Sequence, residues 1–190
     1  EKLTQQNRNM QVFYHRIGDD QAEDQLIYSD PEHQDRGFGA TVTDDGKYLL
    51  LHVWEGTDER NRFYYMKLNG IKRKGTLVKL MDKFDAGYNY IDNDGPVFFF
   101  RTDLKAARGR VIAVDLRNPG PSQWKTVIPE SEDVLSSVSV VNQRFIAVYM
   151  HDAHEAVRLF DKKGVRLADI ELPTIGTVAG ISGKKDDSEL

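Results

Sequence analysis

A turn-and-strand outline that recurs three times constrains this chain more than anything else in it. The turn Asp45-Gly46 returns as Asp94-Gly95 and again as Asn142-Gln143, at steps of 49 and 48 residues. An apolar run follows each turn: Tyr48 to Val53, Val97 to Phe100, and Phe145 to Tyr149. A polar connector comes next, as Gly56-Thr57-Asp58, Arg101-Thr102-Asp103 and His151-Asp152. A third run follows (Arg62 to Met66, Arg110 to Asp115, Val157 to Asp161), then a fourth (Leu77 to Leu80, Lys125 to Ile128, Arg166 to Leu172). Asp-Gly supplies the positive φ that a tight hairpin turn requires, and the runs are rich in residues that suit a pleated, half-buried surface. Four short strands per unit of this length are the signature of a β-propeller blade. A β-sandwich also has many short strands, but gives no reason for three units of matching length and order.

The expected fold is therefore all-β: about three four-stranded blades with partial blades on either side. Residues 1–10 read as a flexible lead-in. The partial propeller then occupies 11–190, with units at about 11–36, 37–83, 84–131 and 132–174 and the start of another at 175–190. Gln11 to Tyr28 resembles the outer strands of a preceding blade, and Gly176 to Ile181 the innermost strand of a following one. Propellers close with about four to eight blades, so the chain is expected to belong to a larger ring. Helix is expected to be scarce; Glu130 to Leu135 has room for one turn before an alternating strand takes over.

Composition narrows the function. A net charge of -4 argues against nucleic acid as a partner, since phosphate-binding domains carry a basic excess. The basic run Lys72-Arg73-Lys74 reads as a hairpin loop. With no cysteine, disulfides, Cys-ligated zinc and a thiol nucleophile are excluded within the chain. No apolar run approaches the roughly 18 residues of a membrane span, so no membrane partner is expected; cytoplasm and periplasm both stay open. The first residue is Glu1, and the polar start is not a signal peptide, which predicts a chain trimmed by processing, proteolysis or design.

The chemical motifs fail one by one. Gly180-Ile181-Ser182-Gly183 approaches a nucleophile elbow, but Lys184 stands where the second glycine is required and no helix pattern follows. His151-Asp152-Ala153-His154-Glu155 is the densest set of metal-capable side chains, yet it falls on a connector and the other histidines lie in other units. Gly70 to Thr76 lacks the lysine and helix of a phosphate loop. Asp44-Asp45 and Asp92-Asn93-Asp94 read as turn residues, favoured there by local hydrogen bonding. No cofactor and no metal are expected. Trp54, at the end of an apolar strand beside a connector, reads as core or as the wall of a pocket.

Several stretches together resemble one family. Phe13-Tyr14-His15-Arg16-Ile17-Gly18, Thr43-Asp44-Asp45-Gly46-Lys47-Tyr48, the connector Glu55-Gly56-Thr57-Asp58-Glu59-Arg60-Asn61-Arg62, and Val178-Ala179-Gly180-Ile181-Ser182-Gly183 are similar to the propeller domain of prolyl oligopeptidase, also called prolyl endopeptidase. The similarity runs in register from about Gln11 to Leu190. It implies a seven-bladed propeller capping an α/β-hydrolase domain with a Ser-Asp-His triad, in a serine peptidase that cleaves short peptides after proline. The propeller would gate the active site and exclude folded proteins. This chain would supply middle blades, so its implied partners are the missing hydrolase domain, the remaining blades and short proline-containing peptides. No catalytic residue is expected within it. The resemblance places Gly37, Phe38, Trp54 and Thr57 near the substrate cavity. Where mammalian relatives have Met, Arg and Cys, this sequence has Gly37, Trp54 and Thr57, replacing a cation with apolar ring area. A stand-alone peptide- or protein-binding propeller and an oligopeptidase B-like hydrolase, which prefers basic residues, remain alternative readings.

Overall fold

A computed structural model describes residues 8–68, 75–178, 180–181 and 183–188. The run Lys72-Arg73-Lys74, most of the Gly70 to Thr76 loop, and Ser182 lie outside the described residues. The chain divides into two compact units, 1–85 and 86–190.

The first unit holds a hairpin of β1 (Gln11–Tyr14) and β2 (Gln25–Ser29), and a four-stranded sheet of β3 (Arg36–Val42), β4 (Tyr48–Glu55), β5 (Asn61–Lys67) and β6 (Leu77–Met81). The sheet order is β3-β4-β5-β6, each strand antiparallel to the next. Pleating sends alternate residues to opposite faces. Phe38, Leu51, Val53 and Tyr64 therefore meet on one face, where Val12, Tyr28 and Leu77 close over them. The Tyr28 ring stands edge-on to Phe38 at 5.0 Å and to Tyr64 at 6.0 Å, which docks the β1–β2 hairpin on the sheet. Tyr48, Leu50, Phe63 and Tyr65 are buried on the opposite face, so β4 carries apolar residues in succession where a one-sided strand would alternate.

The second unit repeats the meander twice. β7 (Tyr88–Asp94), β8 (Val97–Thr102), β9 (Arg110–Asp115) and β10 (Lys125–Ile128) form one sheet. β11 (Val134–Val141), β12 (Arg144–His151), β13 (His154–Phe160) and β14 (Arg166–Ile170) form the other. Phe99, Val111 and Ile128 from the first pack with Leu135, Phe145, Ala147 and Tyr149 from the second in one core. Ile146, Val148 and Val157 face the other way and are covered by Leu172, Val178 and Ile181. The all-β expectation is met: among the described residues, three four-stranded antiparallel meanders follow a two-stranded hairpin. In each meander the third and fourth strands pair with a register break, and the fourth strand has only four or five residues. Bulged, short outer strands twist away and blunt the exposed edge.

Three local expectations need correction. Among the described residues, Gly176 to Ile181 carries no strand. Asp92 and Asn93 sit inside β7, not in its turn, and are buried at 7% and 0% exposure. The Asp92 carboxylate accepts from Lys162 Nζ at 2.9 Å, and that ammonium lies 4.9 Å from the Phe99 ring and 5.2 Å from Phe145. The partner is 70 residues away in sequence, beyond any local pattern. Finally, Glu130 to Leu135 makes no helical turn; among the described residues helix is confined to 3₁₀ turns at Gln21–Glu23 and Pro121–Gln123.

Candidate functional site

The end of the first sheet where β3 begins and β4 ends holds the residues singled out by sequence. Register pairs Gly37 with Trp54 and Gly39 with His52. These four share one face of the sheet, because side chains directly opposite in an antiparallel pair point the same way. The Trp54 indole lies across Gly37, where a Cβ would come within 2.2 Å of Cε2. Gly37 is buried and Trp54 half-buried. The glycine at position 37 thus has a local reason: the indole occupies the space its side chain would fill.

Phe38 points the other way. It is 7% exposed within the core beneath the β1–β2 hairpin, so its side chain is structural in this unit. Thr57 is exposed in the β4–β5 turn, next to Gly56 at φ 57°. The structure therefore brings Gly37 and Trp54 together, leaves Thr57 in the adjoining turn and puts Phe38 on the opposite face.

Sequence reading missed an ion network on that opposite face. Arg36 donates from Nε to Glu55 Oε1 at 2.9 Å and from Nη1 to Asp30 Oδ2 at 2.7 Å. Arg62 donates from Nη1 to the same Glu55 oxygen at 2.6 Å and from Nε to the Asp82 carbonyl at 3.0 Å. Its guanidinium lies 4.7 Å from the Phe84 ring. Glu55 thus ties β3, β4 and β5 together. Burial pushes its carboxyl up, but the hydrogen bonds from Arg36 and Arg62 outweigh this and hold it below the ordinary value. Asp30 behaves alike, with His33 and Arg36 overcoming desolvation. The Tyr64 hydroxyl donates to Asp82 at 2.5 Å; burial and that carboxylate both raise its pKa. At the turn, the Arg60 guanidinium grips Asp58 and holds its carboxyl at about 2. The connector Glu55 to Arg62 is consequently a strand-end clasp. The signal in the sequence was a run of acids, Glu55, Asp58 and Glu59, followed closely by Arg60 and Arg62.

The His151 to Glu155 connector resolves into a similar clasp. His151 Nδ1 and Asp133 Oδ1 are 2.7 Å apart, and Arg158 bonds the other oxygen of Asp133. The Asp133 hydrogen bond raises the His151 pKa. Among the described residues, no three His, Cys, Asp or Glu side chains converge to hold a metal. Beside His151 is a cleft of about 490 Å³ with Val157, Ile170 and Leu172 among its walls.

Comparison with known proteins adds a consistent picture. The family model for the "Prolyl oligopeptidase, N-terminal beta-propeller domain" matches residues 1–190. A dual function macrocyclase-peptidase, POPB, from Galerina marginata is 32% identical over 180 residues, covering 93% of this chain and 24% of its own length. A prolyl endopeptidase from Elizabethkingia meningoseptica is 32% identical over 179 residues, covering 94% and 25%. The solved structure of Galerina marginata prolyl oligopeptidase B without ligand superposes with a TM-score of 0.89 at 30% identity, over 97% of this chain and 26% of that one. A mutant of that enzyme bound to a 35mer hydrolysis and macrocyclization substrate gives 0.89 at 31%, over 99% and 26%. The chain spans about a quarter of the length of these relatives.

Proposed function

Because the chain belongs to the prolyl oligopeptidase N-terminal β-propeller family, we propose that it is the substrate-admitting part of a larger serine peptidase that cleaves short peptides after proline. In this reading the remaining blades complete a seven-bladed ring. An α/β-hydrolase domain beyond this chain carries the triad, and blade units run over about 37–83, 84–131 and 132–174. The propeller gates entry and sets the size of what reaches the triad. The observation that supports the proposal is the structural likeness, at a TM-score of 0.89 over 99% of the chain, to a prolyl oligopeptidase that was solved with a 35mer substrate.

The geometry of the first sheet supports a contact role for Trp54. A half-buried indole laid over glycine offers flat apolar area beside a turn, and no charged group shares its face among Gly37, Gly39 and His52. Gly37 and Thr57 complete the proposed wall, and Phe38 supports it from beneath.

A length series tests the gate. The full-length protein is offered proline-containing peptides of increasing length, then a folded protein with an exposed proline loop. The expected result is that kcat/KM falls steeply with length and the folded substrate survives. Cleavage of the folded substrate at a rate comparable to a short peptide would overturn the gating role.

A further inference from the structure

In the order β3-β4-β5-β6 the first strand has a partner on one side, so its other side turns backbone polar groups outward. One of these, the Phe38 N–H, donates to the Met10 Sδ at 3.0 Å in a part-buried bond. The two residues before Met10 are tied to the same place: the Asn9 N–H donates to the Gln34 carbonyl at 2.9 Å, and the Arg8 guanidinium lies 3.3 Å from the Asp35 carboxylate. Asn9 takes a left-handed φ of 56°, which a short polar side chain tolerates, and the chain then enters β1. The thioether thus stands where the carbonyl of a neighbouring strand would stand, although sulfur is the weaker acceptor. Of the chain's four methionines, Met66 and Met81 are buried, whereas Met10 and Met150 are 39% and 41% exposed. Exposure opens a thioether to oxidation. At Met10 the exposed thioether is also a backbone fastening.

We propose that Met10 is a modification site for hydroperoxides, at which oxidation to the sulfoxide releases the Phe38 N–H and loosens the edge of β3 from the segment leading into β1. A sulfur lone pair attacks the hydroxyl oxygen of the peroxide, and the S–O bond forms as the O–O bond breaks. The proton on that oxygen passes to the departing alkoxide, which leaves as an alcohol, or as water when the oxidant is hydrogen peroxide. Sulfur loses two electrons and the peroxide gains them. One lone pair of the sulfur is directed at the Phe38 N–H, and 3.0 Å leaves no room for an oxygen between the two atoms, so the oxygen adds to the other. The oxidised sulfur carries positive charge and accepts poorly, while the new oxygen points away from the N–H. A backbone donor that was bonded is then left without its acceptor. The loosened strand is the one that carries Gly37, against which the Trp54 indole lies.

The test treats the full-length protein with hydrogen peroxide, follows oxygen gain at each methionine by mass spectrometry of its peptides, and measures hydrogen exchange of the Phe38 amide. Met10 and Met150 are expected to gain one oxygen each at comparable rates, with Met66 and Met81 spared. Exchange at Phe38 is expected to quicken about five- to ten-fold in step with Met10 oxidation. Methionine sulfoxide reductases of both stereospecificities, supplied with a dithiol, restore the slow exchange. Met10→Leu, which keeps the bulk and removes the acceptor, exchanges fast at Phe38 before and after peroxide, and Met150→Leu leaves the response intact. Met10 that stays unoxidised under peroxide overturns the site. Exchange at Phe38 that does not move when Met10 is oxidised overturns the fastening, as does a peroxide-induced quickening that persists in Met10→Leu.

Discussion

At the scale of single residues, the structure separates contact candidates from clasp residues that a sequence cannot tell apart. Trp54→Ala in the full-length protein is expected to raise peptide KM by about 3- to 10-fold while lowering Tm by a few degrees at most, because the ring is only half-buried. Steady-state kinetics beside thermal melting checks this. Glu55→Ala is expected to behave oppositely, costing about 1–3 kcal/mol of stability, since it removes the shared carboxylate from two guanidiniums that are 10% and 12% exposed and leaves Arg36 only Asp30 and Arg62 only Asp82. Denaturant unfolding reads it.

Two groups make opposite contributions across pH. The Glu55 carboxyl is held below its unfolded value of 4.5, so its stabilisation is present above 4.5 and lost as pH falls through the lower folded pKa. His151 is held above 6.5, so its bond to Asp133 stabilises fully below 6.5 and fades as pH rises through the raised folded value. In Tm measurements, Glu55→Gln is expected to flatten the acid limb, and His151→Gln to remove a small loss above pH 6.5. An acid limb unchanged by Glu55→Gln would refute the clasp.

At the scale of elements, turn chemistry and two-sided burial explain how much was legible. Asp45 beside Gly46 was readable because its carboxylate accepts from Lys47 N and Thr43 Oγ1, a local pattern. The β12–β13 turn was less so: Asp152 and Ala153 take positive φ, at 41° and 63°, without a glycine. Ala153→Gly is therefore expected to stabilise by about 1 kcal/mol, relieving the left-handed backbone of a residue with a Cβ. Strands β4, β8 and β12 were legible as continuous apolar runs because both their faces are covered. Phe145→Ala in β12 is expected to cost about 3–5 kcal/mol, whereas Phe13→Ala, at 49% exposure, costs under about 0.5. Urea unfolding of both variants decides it. What escaped the sequence were pairings set by register across the sheet: Gly37 beneath Trp54, Arg36 and Arg62 on Glu55, Lys162 on Asp92. Each needs the strand alignment before the partners are known.

At the scale of the whole molecule, repeat length and the clasp connector together led to the prolyl oligopeptidase propeller family, which the match over residues 1–190 establishes. The proposed function was legible only through that family, because the residues of the candidate site offer apolar surface and hydrogen-bond donors, which name no reaction by themselves. The central claim is that the Trp54 end of the first sheet touches peptide on its way to a distant triad. Replacing Trp54 with p-benzoylphenylalanine in the full-length protein and irradiating it with a proline-containing peptide tests this directly. The account predicts a covalent adduct at position 54, suppressed by excess unlabelled peptide; no adduct there, with peptide still being cleaved, would contradict it.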